Sequence, residues 1–191
     1  MGSKIRHEAP EYQAYHESEA VSFLCVVFEL NFQSTKRKYP FMDHPLQHYY
    51  SLLEEVLVEY KIDVAAARGQ QPGQWNLKLG SASVWVDIFQ SKDAQGNLMQ
   101  YGYMQVMAPV SEVPVNNQHL FTKELLEINH SLYGVAFTIY KDKAYIKAIR
   151  ELQGLDKSEI KSTFDRVGIY ADEWDDKLRA KYFAFSGGGR G

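Results

Sequence analysis

The sequence predicts an α+β domain in which one antiparallel sheet has helices packed on one side. Two observations predict this class. Segments with the two-residue alternation of a strand fall into two groups, and short turns join the strands within each group, as in antiparallel pairs. Segments with helical spacing precede, separate and follow these groups. The predicted order is therefore α-βββ-α-ββ-α, with an N-terminal arm or strand before it.

The 191 residues divide into three parts. Residues 1–42 are predicted to form an N-terminal arm and linker, residues 43–183 the α+β domain, and residues 184–191 a flexible tail ending in SGGGRG. Within the arm, residues 21–32 are rich in β-branched and aromatic side chains, which favours a strand. A short buried helix is the alternative, because a continuous apolar run fits both.

The domain is predicted to begin with a helix over residues 43–60. Asp43 can cap this helix, and Pro45 suits its first turn. Apolar residues then recur at three- and four-residue steps and give one apolar face. Three strand candidates follow, in WNLKL, SVWVDIF and YGYMQVM, and DAQGN predicts a turn between the last two.

The second half of the domain continues with a helix whose apolar stripe runs from Phe121 to Leu132. The segments YGVAFTIY and AYIKAIR are then predicted to form a hairpin across KDK. A long helix from about Lys157 to Tyr182 closes the domain, because apolar residues recur along one side of it.

Composition narrows the classes of function. The formal net charge of −3 gives no general attraction for nucleic acid or an anionic membrane. The apolar run in residues 21–32 is interrupted by Glu29 and Asn31, is too short to span a bilayer, and lacks a following cleavage site. One cysteine, Cys25, excludes an intramolecular disulfide. The sequence therefore predicts a cytoplasmic protein that binds neither nucleic acid nor membrane.

Both faces of the predicted sheet are apolar. A sheet with one face in water alternates apolar and polar residues, and an apolar cluster of this size is unusual on the surface of a monomer. We therefore expect a further element to cover the second apolar face of the sheet. The candidates are residues 21–32 of the same chain, a second copy in a homodimer, and a client polypeptide. The face opposite Val84 and Val86 carries Trp85, Phe89, Tyr101, Tyr103 and Met107, with Ala136 and Tyr140 if the hairpin joins the same sheet.

Histidines offer the other chemical candidates. His130 lies where the second helix should end and has only Glu127 and Asn129 as local partners, so we interpret it as a structural joint. His44 and His48 share one helical face and can bind a transition metal, but a site needs three or four ligands. A metal-binding protein or enzyme that uses Asp43, His44 and His48 is the alternative function. No cofactor is predicted, and no nucleotide-binding or hydrolase motif occurs.

The C-terminal half resembles the YbjN family, described as bacterial sensory transduction regulators, whose layout type III secretion chaperones share. The stretch LLEINHSLYGVAFTIYKDKAYIKAIRELQGLDKSEI carries the resemblance, with a Leu–Glu–x–Asn phrase at residues 126–129 and an acidic run at 172–176 within ADEWDDKLRAKY. The resemblance covers residues 44–182, and its motifs are packing motifs. It implies a small, often dimeric, non-enzymatic binding domain without catalytic residues.

These observations together predict a non-enzymatic protein-binding or regulatory module, chaperone-like, that acts by surface recognition. The expected partners are a second copy in a homodimer and a protein client or regulator. The predicted binding surface comprises Trp85, Phe89, Tyr101, Tyr103, Met107 and Tyr140.

Overall fold

A computed structural model describes residues 44–183 of the chain. The described residues belong to two compact units, one holding residues 92–98 and the other residues 44–91 and 99–183. The predictions for the arm, for residues 21–32, Cys25 and Asp43, and for the tail fall outside the described residues. In chain order the elements are α1 (Leu46–Glu59), α2 (Val64–Ala67), β1 (Gln74–Leu79), β2 (Ala82–Lys92), β3 (Leu98–Glu112), α3 (Gln118–Asn129), β4 (Ala136–Tyr140), β5 (Lys143–Glu151) and α4 (Lys157–Tyr182).

The predicted fold class is confirmed. Within residues 44–183 five strands form one antiparallel sheet in the order β1-β2-β3-β5-β4. The β4–β5 hairpin turns at Lys141 and Asp142, which both have positive φ, as a two-residue hairpin turn requires. Since β5 lies between β3 and β4, the hairpin joins the sheet through its second strand, and β1 and β4 are the edges of the described sheet.

The helices cover one face of this sheet. Val84, Val86 and Val106 face them and are fully buried, as the strand alternation predicts. Leu53 of α1 and Phe164 of α4 complete the contact from the helix side and are equally buried. Burying one such side chain contributes about 1.5–3 kcal/mol, so this layer supplies the main stability of the fold.

Two helix ends differ from the sequence prediction. α1 begins at Leu46, because Pro45 is the extended N-cap residue rather than part of the first turn, and no side chain caps it. α3 ends at Asn129, so Leu132 lies beyond the helix although it still packs against the core. A short helix, α2, was not predicted. It forms because the Asp63 carboxylate accepts hydrogen bonds from the first backbone N–H groups of the turn.

The last helix, α4, begins with a capping box. The Asp156 carboxylate accepts a hydrogen bond from the backbone N–H of Glu159 at 2.8 Å, and the Glu159 side chain accepts one from the backbone N–H of Asp156 at 3.4 Å. This reciprocal pair satisfies two N–H groups at the helix end and fixes where the 26-residue helix starts.

The unit that holds residues 92–98 contains the predicted DAQGN turn. The Asp93 carboxylate accepts hydrogen bonds from the backbone N–H groups of Gln95 and Asn97 at 2.9 and 2.8 Å. Gly96 takes a positive φ of 84°, which glycine adopts without a steric penalty. The prediction of a turn at this position is confirmed.

Candidate functional site

The sheet face opposite the helices, here called the aromatic face, holds the residues predicted as a binding surface. Trp85 and Phe89 of β2 and Tyr101 and Tyr103 of β3 are half-buried there, and Met107 is 4% exposed. The described helices pack on the other side of the sheet, so α1, α3 and α4 do not cover these side chains.

Two ring pairs organise the aromatic face. Phe89 and Tyr103 lie with ring centroids 6.1 Å apart and their planes tilted by 38°. Trp85 pairs with Tyr145 of β5 at 5.8 Å and 48°. Such separations are typical of favourable aromatic pairs. Burial raises the pKa of Tyr103 and of Tyr145, so both phenols stay neutral at ordinary pH.

Residues predicted for this surface from the hairpin lie at its margin. Tyr140 ends the edge strand β4, and Ala136 begins it, opposite Lys147. Both are half-buried. Neither residue belongs to the two ring pairs described above. Tyr145, which the sequence analysis did not include, belongs to the pair with Trp85.

Three polar side chains, one on each of the neighbouring strands β2, β3 and β5, lie among the large side chains of the aromatic face. Asp87 and Gln105 are only 4% and 6% exposed, and the Gln105 Nε2 atom donates to the Asp87 Oδ2 atom at 3.3 Å. Lys147 follows on β5; burial lowers its pKa, and the charge of Asp87 opposes that shift. These residues form the polar diagonal, because Lys147 pairs with Met107 rather than directly with Gln105.

Each residue of the polar diagonal is flanked along its own strand by two large, mostly apolar side chains, because residues two apart share a sheet face. Since neighbouring strands are antiparallel, these flanking residues form two sets. The first flank is Phe89, Tyr103 and Ile149, and the second flank is Trp85, Met107 and Tyr145. The ring pair Phe89–Tyr103 lies within the first flank and the pair Trp85–Tyr145 within the second.

Sequence reasoning placed Asp87 on this face but gave it no role, and it did not include Gln105, Lys147, Tyr145 or Ile149. The signal was present in the alternation itself: SVWVDIF sets Asp87 between Trp85 and Phe89. What the local pattern lacked was the order of the strands, which brings the three polar residues onto neighbouring strands.

The alternative metal site is only partly present. The rings of His44 and His48 lie 4.2 Å apart on exposed positions, as their four-residue spacing predicts. Among residues 44–183 no group of three possible ligands occurs, and Asp43 lies outside the described part. Zinc sites use three or four protein ligands, and the two described histidines supply two.

The joint between α3 and β4 is made by Asn129. Its side-chain oxygen accepts a hydrogen bond from the backbone N–H of Phe137 at 2.6 Å, and its Nδ2 atom donates to the carbonyl of Phe137 at 3.3 Å. His130 is exposed and occupies the C-cap position of α3. The predicted joint is therefore found at this point of the chain, with Asn129 rather than the imidazole making the contact.

The acidic run on α4 is a solvated helix face. Glu173 pairs with Lys177 at 2.5 Å and Asp175 with Arg179 at 2.8 Å, each four residues apart. Asp172 accepts a hydrogen bond from the hydroxyl of Ser81. Pairs of opposite charge four residues apart are typical of an exposed helix face.

A groove of about 810 Å³ lies between α3, the end of α4 and the loop before α3. Glu124 occupies it: both carboxylate oxygens accept from Lys181 at 2.8 Å, and the Tyr182 hydroxyl also donates to it. Burial opposes ionisation of Glu124, but these two donors prevail and lower its pKa. Burial and the bond to Glu124 raise the pKa of Tyr182 to about 12.

None of the helices between residues 44 and 183 combines the length and the apolar character needed to cross a membrane. No family model and no curated protein sequence matches the chain. The resemblance to the YbjN family therefore stays a prediction.

Several solved structures match the fold. A chain of the ExsC–ExsE complex has a TM-score of 0.52 at 13% identity, over 70% of this chain and 95% of that one. A chain of the HopA1–SchA chaperone–effector complex has a TM-score of 0.48 at 10% identity, over 69% and 95%. The Yersinia pestis type III secretion chaperone SycH, in complex with a stable fragment of YscM2, has 0.47 at 14%, over 66% and 98%. The first of these matches shows a fold shared with this chain.

Proposed function

We propose that this protein is a non-enzymatic, chaperone-like binding module of the cytoplasm, which holds a segment of a client polypeptide on its aromatic face. The observation that carries the proposal is the concentration of large apolar side chains on the sheet face that the described helices do not cover. Burying one such aromatic side chain contributes about 1.5–3 kcal/mol, so a few of them suffice for specific binding.

The shared fold supports this proposal. The solved chain with a TM-score of 0.52 belongs to a complex of two proteins, ExsC and ExsE. A protein-binding role for the present chain fits that relationship. The mechanism is recognition of a surface at equilibrium, so the occupied fraction follows the concentration and affinity of the client.

Three occupants of the aromatic face follow from the sequence: a client, a second copy, and residues 21–32 of the same chain. A photo-reactive side chain on this face distinguishes them. We would replace Tyr103 with p-benzoylphenylalanine, irradiate the protein in a native cytoplasm, and identify each adduct at residue level by mass spectrometry. The matched control carries the same group at Val58, which is 64% exposed on α1.

The proposal predicts that Tyr103→p-benzoylphenylalanine forms adducts with a different polypeptide and that Val58→p-benzoylphenylalanine does not. Adducts only with a second copy, or only with residues 21–32 of the same chain, would show that self-association or the arm fully occupies the face. Either result would contradict client binding at this surface.

A further inference from the structure

The two outer strands of the described sheet, β1 and β4, differ in how they are protected from pairing with other chains. β1 carries the exposed, charged residue Lys78, and the backbone N–H of Gly69 donates to the Gln74 carbonyl of β1 at 2.7 Å. A charge on the strand and a loop that covers its edge are two common protections of an edge strand. β4 has the sequence AFTIY, which contains neither a charged residue nor a proline.

The sequence of β4 makes protection of its edge important. Its residues favour strands, and Ile139 is 44% exposed. Short uncharged stretches of this kind pair readily with other strands, including copies of themselves, where an edge is open. The edge of β4 is therefore where the described sheet would extend most easily.

Asn129, the last residue of α3, lies against the outer edge of β4. The Phe137 N–H donates to the Asn129 Oδ1 atom at 2.6 Å, and the Asn129 Nδ2 atom donates to the Phe137 carbonyl at 3.3 Å. The N–H and C=O groups of one residue point to the same edge of a strand. Because the partner of both groups lies on α3, they point away from β5. One side-chain amide thus makes the two hydrogen bonds that a further strand would make.

This contact takes a large part of the outer edge. Successive residues direct their backbone groups to opposite edges, so the first, third and fifth residues of β4 face β5. Of the five residues of β4, Phe137 and Ile139 direct their backbone groups outward. A strand that pairs along β4 would need the groups of Phe137, and Asn129 holds both of them.

We infer that Asn129 blocks the edge of β4 against the addition of a further strand, from another protein or from a second copy of this chain. A side-chain amide suits this role because it presents a donor and an acceptor side by side, as a strand backbone does. The inference goes beyond the proposed function and does not depend on it, since the aromatic face is a different surface.

The test uses two peptides that differ only in their ability to pair as strands. The probe has the sequence AFTIY between pairs of lysines and carries a fluorescent label. Its matched partner has two adjacent central amides N-methylated, which removes one N–H donor from each edge of the peptide. Fluorescence anisotropy compares their binding to the intact chain. The wild type should not distinguish between the two peptides by more than about twofold in affinity.

Removal of the amide should open the edge. Asn129→Ala should bind the unmethylated peptide about tenfold more tightly than the methylated one, because the freed backbone groups of Phe137 then pair with it. Asp156→Ala is the matched control, because it destabilises the start of α4 and keeps the Asn129 contact; it should behave as the wild type. Circular dichroism checks that each variant is folded. If Asn129→Ala is not, Asn129→Ser provides the test, since its shorter side chain reaches at most one of the two groups.

Three results would overturn the inference. A folded Asn129 variant that does not distinguish between the peptides would show that this residue is not the block. The same preference in Asp156→Ala would show that a general loss of stability, rather than the opened edge, is its source. A clear preference for the unmethylated peptide in the wild type would show that the edge is already open. The photo-crosslinking experiment tests client binding separately, so none of these results decides it.

Discussion

One sheet has two apolar faces of different construction. The face under the helices is built mainly from aliphatic side chains such as Val84, Val86 and Val106, which are fully buried. The aromatic face has half-buried rings on both sides of Asp87, Gln105 and Lys147. Interlocked aliphatic side chains favour a rigid core, whereas aromatic and hydrogen-bonding groups are typical of recognition surfaces. The first face stabilises the fold, and the second is the face on which we propose that a client binds.

The largest expected effect tests this division directly. Phe164 is fully buried under the sheet, so Phe164→Ala should lower the free energy of unfolding by about 3–5 kcal/mol through lost burial and a cavity. Ile149 on the aromatic face is 53% exposed, and Ile149→Ala should cost less than about 1 kcal/mol. Urea denaturation measures both. Equal losses for the two variants would remove the contrast between the faces.

The next effect concerns the attachment of α3 to the edge of the sheet. Asn129→Ala removes two hydrogen bonds to the backbone of Phe137 and leaves partly buried groups without their partners. We expect a loss of about 1–3 kcal/mol in the free energy of unfolding. Asn129→Asp keeps the acceptor for the Phe137 N–H and should lose less. If Asn129→Ala and the wild type had the same midpoint of urea unfolding, the Asn129 side chain would not be what connects α3 to β4.

A smaller loss is expected at the start of α4, which belongs to the helix layer alone. Asp156→Ala removes the capping box with Glu159 and should cost about 0.5–2 kcal/mol. Asp156→Asn retains a capping oxygen and serves as the control. In a chain that also carries Tyr103→p-benzoylphenylalanine, both variants should form the same adducts as the parent protein, because neither alters the aromatic face. A change in the adducts would show that the two faces are coupled.

The smallest effect is a pH dependence in the groove between α3 and α4. The pKa of Glu124 lies below its ordinary value of 4.5 because the hydrogen bonds from Lys181 and Tyr182 outweigh its burial. A carboxyl group whose pKa is lowered in the folded state stabilises the fold at pH values above the group's ordinary pKa. This contribution is lost as the pH falls through the folded-state pKa. Thermal unfolding of Glu124→Gln should therefore change less with pH below about 4.5 than that of the wild type. Identical slopes would contradict the assigned contacts.

The sequence predicted much of the fold because its signals are local. Alternation in SVWVDIF and YGYMQVM assigned Val84 and Trp85 to opposite faces, and the spacing of apolar residues located the main helices. The polar diagonal depends instead on which strands are neighbours. The charge of Asp87 acts on Lys147 because β5 lies next to β3, and no local sequence pattern predicts that strand pairing. Short features such as α2 depend on a single cap, at Asp63.

The most direct test of client binding at the aromatic face uses the three tryptophans as reporters. Trp75 is 3% exposed and faces the helices, Trp174 lies on α4, and Trp85 lies on the aromatic face. With 5-fluorotryptophan incorporated, fluorine NMR resolves one signal for each, assigned by single Trp→Phe variants. On addition of a client polypeptide identified by the photo-crosslinking experiment, we expect the Trp85 signal to shift and the other two signals to stay unchanged. Binding that moves the Trp75 or Trp174 signal while Trp85 stays unchanged would contradict it.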